Sequence, residues 1–401
     1  MVESSESVSF FFKIIWVAYL VLAPFYVLQS GYPQPADFVL LLGLAPALGL
    51  AALKSEVRIP TAILLGIGFV VLTFTINIIH FVFTSDLKFL LSSLYYVYNF
   101  GVFLFALQLF KLAPQTINHL TYWALAASIC IETVFILLDY GSSIRTQGTF
   151  NNPNQLGYWS LLSFALLIII KRHERLTLMD AALILMMFVT QLVSLSKAGI
   201  VSMAFCLLIV FFSRLMSDTS RLFLIGIVSV GLAFMLITQN DLLSKVADFK
   251  LIDTVYTRIS TIGAQGDDSL RGRGYDRILD NPHYVLLGAG EGANWRYNPQ
   301  GKELHSGLAT LLFSYGIVGF LLFFTFLFFV FRGRPWRYIF LLVPIMMYGL
   351  THQNIRFTYF WVVIAAAYSG CHFEQRAGMY KPTLLTDDSD VGKAPPRQHA
   401  S

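Results

Sequence analysis

Charged residues are scarce in this sequence. Only 13% of its 401 residues are Asp, Glu, Lys or Arg, whereas 56% are hydrophobic and the mean hydropathy is +0.65. So little polar surface cannot cover a water-soluble domain of this size. The apolar residues form continuous runs of about 15 to 25, close to the length that a helix needs to cross a bilayer, without the alternation of a membrane β-barrel strand. The sequence therefore predicts an all-α polytopic membrane protein.

Cysteine is scarce as well. Cys130, Cys206 and Cys371 lie in or at the end of apolar runs, and an odd number in that setting gives neither a disulfide framework nor zinc-ligand spacing. Residues 1–9 lack the basic region of a cleaved signal peptide, so the first apolar run is expected to stay as an anchor. The net charge of +5 says little about nucleic acid, because lysine and arginine mostly mark cytoplasmic loops in membrane proteins, and no nucleic-acid partner is expected.

Twelve apolar segments are predicted to span the membrane. With both termini in the cytoplasm, sixteen of the 28 lysines and arginines lie on the cytoplasmic side, four in short outer loops and eight in one long segment. The opposite orientation would invert this positive-inside bias. Lys197 and Gly199 indicate a break between the seventh and eighth segments. The twelve segments are Phe10–Leu28, Phe38–Leu53, Thr61–Phe83, Phe89–Phe110, His119–Leu138, Gln155–Ile170, Leu178–Val193, Ile200–Phe212, Leu222–Leu236, Ser306–Phe331, Tyr338–Leu350 and Tyr359–Cys371.

One large loop, about residues 237–305, separates the ninth and tenth segments and falls on the outer, periplasmic side of this topology. Apolar residues recur at helical spacing over Asp241–Ile262, which predicts an amphipathic helix, and a second short helix is expected over Ser269–Leu279. Residues 1–373 are therefore interpreted as a single transmembrane domain that includes this loop. Residues 374–401 show no periodicity and are expected to be a disordered cytoplasmic tail.

Cations collect on the outer side. Arg145, Lys197 and Arg356 lie in short outer loops, and Arg258 lies on the polar face of the amphipathic helix. Several donors in a water-poor site would suit a diphosphate. The alternatives are that these side chains reach outer lipid headgroups or line a solvated helix face. Arg271, Arg273 and Arg277 have Asp276 and Asp280 nearby and can simply pair with them.

Two further features have competing interpretations. Glu132 is the one acid well inside a span, which makes it a functional candidate or the partner of a neighbouring tyrosine or histidine. Gly288–Gly292 looks superficially like a phosphate loop, but no strand precedes it, so flexible loop packing explains the glycines better.

His305 stands where the polar loop ends and an apolar helix begins. The partial positive charge of a helix N-terminus attracts an anion and disfavours imidazolium, so the ring is expected to be neutral and able to accept a proton. A capping or solvated histidine is the alternative. Gly316 and Gly319 by themselves indicate only close helix packing.

Two motifs are similar to those of a known family. His305–Gly319 reads His-Ser, nine residues, then Gly-x-x-Gly, and Gly148–Asn154 reads Gly-Thr-Phe-Asn-Asn-Pro-Asn. Together with twelve spans and one large outer loop, they resemble the O-antigen ligase and polymerase superfamily of bacterial inner membranes. Leu322 departs from the small residue often found at its position. Lys197 stands where arginine is usual, and its ammonium group is a point charge, whereas a planar guanidinium can form two parallel hydrogen bonds to a diphosphate.

The resemblance implies a GT-C-like fold and a metal-independent, inverting glycosyltransferase that needs no cofactor. The donor would be an oligosaccharide on undecaprenyl diphosphate, and the acceptor a sugar hydroxyl at the periplasmic face. The resemblance implies that His305 is the base and that Arg145, Lys197 and Arg258 hold the diphosphate. Contacts to the acceptor or the loop are expected from Asn152, Asn154, Arg271, Arg273, Ser306 and Arg356.

Three functions stay open. The preferred one is a polymerase that joins repeat units of O-antigen or exopolysaccharide, and a chain-length regulator is among its candidate partners. A ligase that joins glycan to lipid A core uses the same chemistry, and nothing in the residues separates the two. A transporter or flippase of lipid-linked sugars is less favoured, because the sequence has no internal repeat and its candidate charges lie at the outer rim.

Overall fold

A computed structural model describes residues 8–53, 59–139, 145–171, 174–212, 271–297, 301–333 and 336–376. Several predictions fall on other residues. The ninth apolar segment, the amphipathic helix over Asp241–Ile262, Arg258 and the tail beyond Arg376 lie outside the described residues.

The described chain is helical, and no β-strand occurs in these ranges. Two very short helices and one 3-10 turn, Asn294–Arg296, lie in the segment before the tenth apolar run. In chain order the helices are α1 (Phe10–Leu22), α2 (Pro35–Leu53), α3 (Thr61–Thr84), α4 (Lys88–Leu112), α5 (Pro114–Asp139), α6 (Pro153–Ile170), α7 (Leu178–Ser194), α8 (Lys197–Phe212), α9 (Asp276–Asp280), α10 (Tyr284–Leu287), α11 (Gly307–Phe331), α12 (Trp336–Tyr348) and α13 (Thr358–Arg376).

Helices α3, α4, α5, α6 and α11 are each long and apolar enough to cross a membrane. Together with the shorter apolar helices they confirm a helical, multi-pass membrane protein. Eleven of the twelve expected apolar segments coincide with a helix, whereas the number of spans, the orientation and the kind of membrane stay predictions. Helix α13 continues to Arg376, three residues beyond the domain boundary expected at residue 373.

The centre of the bundle is α6, all of whose residues from Leu156 to Ile170 are buried. It packs against α5, α7, α8, α12 and α13, while α4 lies between α3 and α13 and α11 packs on α3. By contrast α3 exposes a series of large apolar side chains, including Val71, Val82 and Phe83. This distribution is typical of inner and lipid-facing helices in a membrane bundle.

The connecting segments at one end of the bundle contact one another. Asn151 donates to the carbonyl of Leu28, Arg145 donates to the carbonyl of Ser194, and Trp295 donates to Asp86. We call this end, where alternate connections of the bundle meet, the polar end. It comprises residues 23–34, 85–87, 145–152, 195–196, 271–297, 301–306 and 349–357.

Two of the expected helices are shorter than predicted, and the structure locates the expected break between two others. Helix α1 ends at Leu22, because the following residues leave the helix to pair with the Gly148–Asn154 turn through Tyr26 and Leu28. The break between α7 and α8 is confirmed, and it lies at Leu195, which adopts a left-handed conformation with φ 51°. Of the helix expected over Ser269–Leu279, residues 269 and 270 lie outside the described residues, and from residue 271 to 280 only the five residues of α9 are helical.

Helix α11 is interrupted at Gly316, whose φ of 66° and ψ of −178° are not helical. The break frees two carbonyls of the preceding turn from their usual partners. The backbone N–H of Ala289 donates to the carbonyl of Phe313 at 2.9 Å, and that of Gly290 donates to the carbonyl of Ser314 at 2.9 Å. Gly316 was expected only to allow close helix packing; it lets a loop enter the side of the helix.

Replacing Gly316 by alanine should destabilise the protein. The backbone conformation is one that essentially only glycine adopts, at a cost of about 1–3 kcal/mol for other residues, and an added Cβ would lie 2.5 Å from the carbonyl oxygen of Leu286. We expect a lower midpoint of thermal unfolding in detergent for Gly316→Ala. Gly68→Ala is the matched control, because a Cβ there meets only Leu322 at 3.7 Å. Equal stability of the two variants would contradict the prediction.

Candidate active site

The asparagine-proline turn is held in place by Glu132. One carboxylate oxygen accepts from the backbone N–H of Thr149 at 3.1 Å and the other accepts from its hydroxyl at 2.5 Å. Gly148 has φ 55°, and a Cβ on it would lie 1.9 Å from the Glu132 carboxylate. Of the two interpretations of Glu132, these contacts favour the structural one, with Thr149 as the partner in place of a tyrosine or histidine.

Asn152 and Asn154 have different tasks in this turn. Asn152 caps α6, since its side chain accepts from the backbone N–H of Asn154 at 2.8 Å and Pro153 occupies the first turn. The side chain of Asn154 accepts from Arg145 at 2.7 Å, and its backbone carbonyl accepts from the Tyr348 hydroxyl at 2.7 Å. Only Asn154 therefore bonds to one of the candidate cations.

Arg145 is half-buried and held at two points. Its Nε donates to the carbonyl of Ser194 at 3.1 Å and its Nη2 donates to Asn154, so the guanidinium joins the start of α6 to the end of α7. Lys197 begins α8 directly after the Leu195 break, three residues beyond the carbonyl that Arg145 contacts. Two of the cations proposed for the diphosphate therefore lie on the same side of the polar end.

His305 is attached to the segment before α9. Its backbone N–H donates to the carbonyl of Arg273 at 3.0 Å, and the Arg273 guanidinium donates to the carbonyl of Thr351. Arg145 and Arg273 both lie close enough to interact electrostatically with Tyr348. Tyr348 is thus within electrostatic reach of Arg145, which contacts the asparagine-proline turn, and of Arg273, which contacts His305.

The first turn of α11 is rigid. Ser306 is buried and caps the helix: its hydroxyl accepts from the backbone N–H of Ala309 at 3.1 Å and donates to the carbonyl of Gly349 at 3.0 Å. The N–H of Gly307 donates to the carbonyl of His352 at 2.9 Å. These bonds hold the backbone next to His305, while the His305 side chain stays exposed.

Arg356 lies in a network of opposite charge. It forms an ion pair with the buried carboxylate of Glu291 and a second one with Glu303 at 3.0 Å. The other oxygen of Glu291 accepts from Tyr96 at 2.9 Å and from Tyr315 at 2.6 Å. Two carboxylates face this one guanidinium, so it is not available as a lone cation for an anionic ligand.

The same network explains the glycines at 288–292. Gly288, Gly290 and Gly292 all have positive φ, and a Cβ on any of them would lie within 3 Å of a neighbouring atom. The backbone N–H of Glu291 donates to Asn77 on α3 at 2.8 Å. The glycines do serve loop packing, as expected. The loop is not flexible in the sense expected, because it contacts α3, α4 and α11 closely.

A small cavity lies beside this network, lined by Glu291, Glu303, Arg356, Thr310 and Gln353 among others. Its volume of about 20 Å³ leaves room for roughly one water molecule. The Gln353 side chain donates to the carbonyl of Leu304 at 2.7 Å and to the Thr310 hydroxyl at 2.8 Å. The cavity therefore adjoins the residue that precedes His305.

Partial burial and nearby cations favour the neutral form of His305. Partial burial lowers the pKa of its imidazole from the ordinary histidine value, and Arg273, Arg277 and Lys302 lower it further, while Glu303 acts in the opposite direction. Arg356 holds the pKa of Glu303 below its usual range, so Glu303 stays ionised. A neutral imidazole beside a carboxylate can accept a proton and then be stabilised as imidazolium.

Arg271 is the last candidate in the segment before α9, and its partner is an acid. Arg271 is highly exposed and pairs with Asp276 at 3.9 Å, one of the pairings anticipated from the sequence. Glu291, Tyr96, Tyr315 and Asn77 were not singled out as site residues. Two signals of this network are visible in the sequence: Glu291 is an acid within a glycine-rich loop, and Arg356 is an arginine in a short outer connection.

A scan against protein-family models finds no match for the chain, and a search of curated proteins finds none either. Any functional assignment therefore rests on the motifs and contacts described above. Groups of His, Cys, Asp and Glu able to hold a metal ion do not occur among the residues that the structure covers.

Proposed function

We propose that the protein transfers a glycan from undecaprenyl diphosphate to a sugar hydroxyl at the polar end of the bundle, most readily as a polymerase of surface-polysaccharide repeat units. The observation that carries the proposal is the exposed, neutral His305 at the start of α11, fixed to the backbone of Arg273 and followed by the His-Ser and Gly-x-x-Gly pattern. The resemblance to O-antigen ligases and polymerases supplies the reaction class.

In this proposal His305 removes the proton of the acceptor hydroxyl. The acceptor oxygen then attacks the anomeric carbon of the donor sugar, and the bond from that carbon to the diphosphate oxygen breaks with inversion. Glu303 is ionised and interacts electrostatically with His305, so it favours the imidazolium that forms. A base of this kind contributes about 10²–10⁴-fold to the rate.

The departing diphosphate carries growing negative charge and needs positive partners. Arg145 and Lys197 are the described cations on one side of the polar end, and Arg258, outside the described residues, is proposed as a third. Arg273 joins them here, because it lies near Tyr348 together with Arg145 and carries the backbone oxygen that His305 contacts. Charge-assisted bonds from several donors would stabilise the transition state more than the ground state.

The reaction product distinguishes the proposal from its rivals. Purified protein in proteoliposomes is given an undecaprenyl-diphosphate-linked oligosaccharide, with or without lipid A core, and the glycolipids are separated by gel and mass. Chains of graded length on the undecaprenyl carrier are the expected result. Glycan on lipid A core would identify a ligase, and movement of unchanged donor across the bilayer without any new glycosidic bond would replace the proposal by a transporter.

The rate should depend on pH through His305. The base acts only when its imidazole is neutral, and its pKa lies below the ordinary value of about 6.5. We therefore expect the initial rate of transfer to be flat near neutral pH and to fall as the pH drops through that lowered pKa. An acidic limb centred above pH 7 would argue against His305 as the titrating base.

A further inference from the structure

The segment before α11 exposes large apolar side chains outside the spanning helices. Leu279 on α9 is 76% exposed, and Leu286 and Leu287 on α10 are 68% and 74% exposed. We call Leu286 and Leu287, the adjacent pair on α10, the leucine patch. Trp295, later in the same segment, is 55% exposed. Leucines this open are unusual in an aqueous loop, where an apolar patch commonly marks a contact surface.

The position of α10 along the bundle is given by the break in α11. The carbonyl of Leu286 and the backbone N–H of Gly288 lie against Gly316, nine residues after the start of α11. At 1.5 Å per residue this is roughly 14 Å from the first turn of that helix. Helix α10 therefore lies beside α11 instead of above its first residue, at the level of the last turn of α3, where His80 bonds to the carbonyl of Gly288.

The neighbours of α10 are exposed apolar faces. On α3, His80 bonds to the carbonyl of Gly288, and Val82 and Phe83 close by are 70% and 82% exposed. On α11, Val318 follows the Gly316 break and is 59% exposed. The two helices that α10 contacts thus expose large apolar side chains themselves, as lipid-facing helices do.

Trp295, at the end of this segment, contacts the polar connection between α3 and α4. The indole N–H of Trp295 donates to Asp86 in the α3–α4 connection at 3.0 Å, and Lys88 next to it is exposed. Tryptophan and lysine are enriched where hydrocarbon meets lipid headgroups. Trp295 and Lys88 therefore sit where the boundary is expected if the leucine patch is immersed.

We infer that the leucine patch inserts among the acyl chains of one bilayer leaflet, with Trp295 at the headgroup level. Helix α10 is then a monotopic membrane contact next to the candidate site. The backbone N–H groups of Ala289 and Gly290 bond to the interrupted turn of α11. The lipid contact of α10 therefore lies directly before the loop that carries Glu291. The inference concerns lipid contact alone and does not depend on the proposed function.

The test uses nitroxide labels on the full chain in nanodiscs. Cys130, Cys206 and Cys371 are replaced to give a cysteine-free background, and single cysteines are placed at Leu286, Leu287, Phe83 or Arg271. Power saturation then compares collisions with oxygen, which concentrates in hydrocarbon, and with a water-soluble nickel chelate. Labels at Leu286→Cys and Leu287→Cys should match Phe83→Cys, with high oxygen and low nickel accessibility, whereas Arg271→Cys should show the reverse.

Two outcomes would overturn the inference. Nickel accessibility at Leu286→Cys equal to that at Arg271→Cys would place the patch in water. Shielding from both reagents would mean that protein covers it. If the cysteine-free background does not fold, Trp295 gives an independent measurement in the unaltered chain: acyl-brominated lipids should quench less of the total fluorescence in Trp295→Phe than in the original protein. Equal quenching of the two would also count against the inference.

Discussion

Replacing His305 by alanine should reduce the rate of glycan transfer by about 10²–10⁴-fold, the usual contribution of a general base. The side chain is exposed and the first turn of α11 is held by Ser306 and Gly307, so the fold should tolerate the change. The rate is measured with lipid-linked oligosaccharide in proteoliposomes, and the thermal unfolding midpoint in detergent is measured beside it. We expect His305→Gln to be equally inactive, because an amide forms hydrogen bonds but does not take the proton.

His283→Ala is the matched control. This histidine lies on the same segment, is exposed, and its ring contacts Tyr284 instead of the candidate site. It should transfer glycan at close to the original rate. A His305→Ala protein that is folded and still builds long polymer would exclude His305 as the base.

Replacing Glu291 by alanine should cost about 3–5 kcal/mol of folding free energy, the range found when one partner of a buried ion pair is removed. The change leaves Arg356 without its buried carboxylate and leaves the hydroxyls of Tyr96 and Tyr315 without their acceptor. The expected result is a much lower thermal unfolding midpoint and poor recovery of folded protein. Glu291→Gln keeps an acceptor for the tyrosines, so its loss should be smaller.

Two comparisons make the Glu291 prediction specific. Asp276→Ala removes an exposed ion pair with Arg271 in the same segment and should change the folding free energy by about 0–1 kcal/mol. Adding Arg356→Met to Glu291→Ala should recover part of the loss, since it removes a guanidinium that would be left with only the half-exposed Glu303 as its ion-pair partner. Additive effects of the two substitutions would show that the pair is not coupled.

The helices could be predicted because their signal is local. Runs of apolar residues long enough to span a bilayer are visible in the sequence, and eleven expected segments are helical. The break between α7 and α8 was also visible, since Lys197 and Gly199 interrupt the apolar pattern. The residue that makes the turn, Leu195, gives no such signal, because leucine rarely adopts the left-handed conformation that it has here.

The site was only partly predictable because its contacts join distant parts of the chain. Arg356 was recognised as unusual, but the carboxylates of Glu291 and Glu303 that neutralise it come from a different connection. Gly316 was recognised as part of a motif, yet its role depends on a loop that reaches it from Gly288. Sequence spacing reports neighbours along one helix, whereas these groups meet only after several helices have packed.

The interruption of α11 has a consequence for how the protein enters its membrane. In hydrocarbon a carbonyl without a donor is costly, so the turn at Phe313 and Ser314 needs the N–H groups of Ala289 and Gly290 while it is being inserted. Those donors precede α11 in the chain and are therefore synthesised first. With the lipid contact inferred above, the loop and the helix are expected to be a single unit of insertion, in which the loop accompanies α11 into the bilayer.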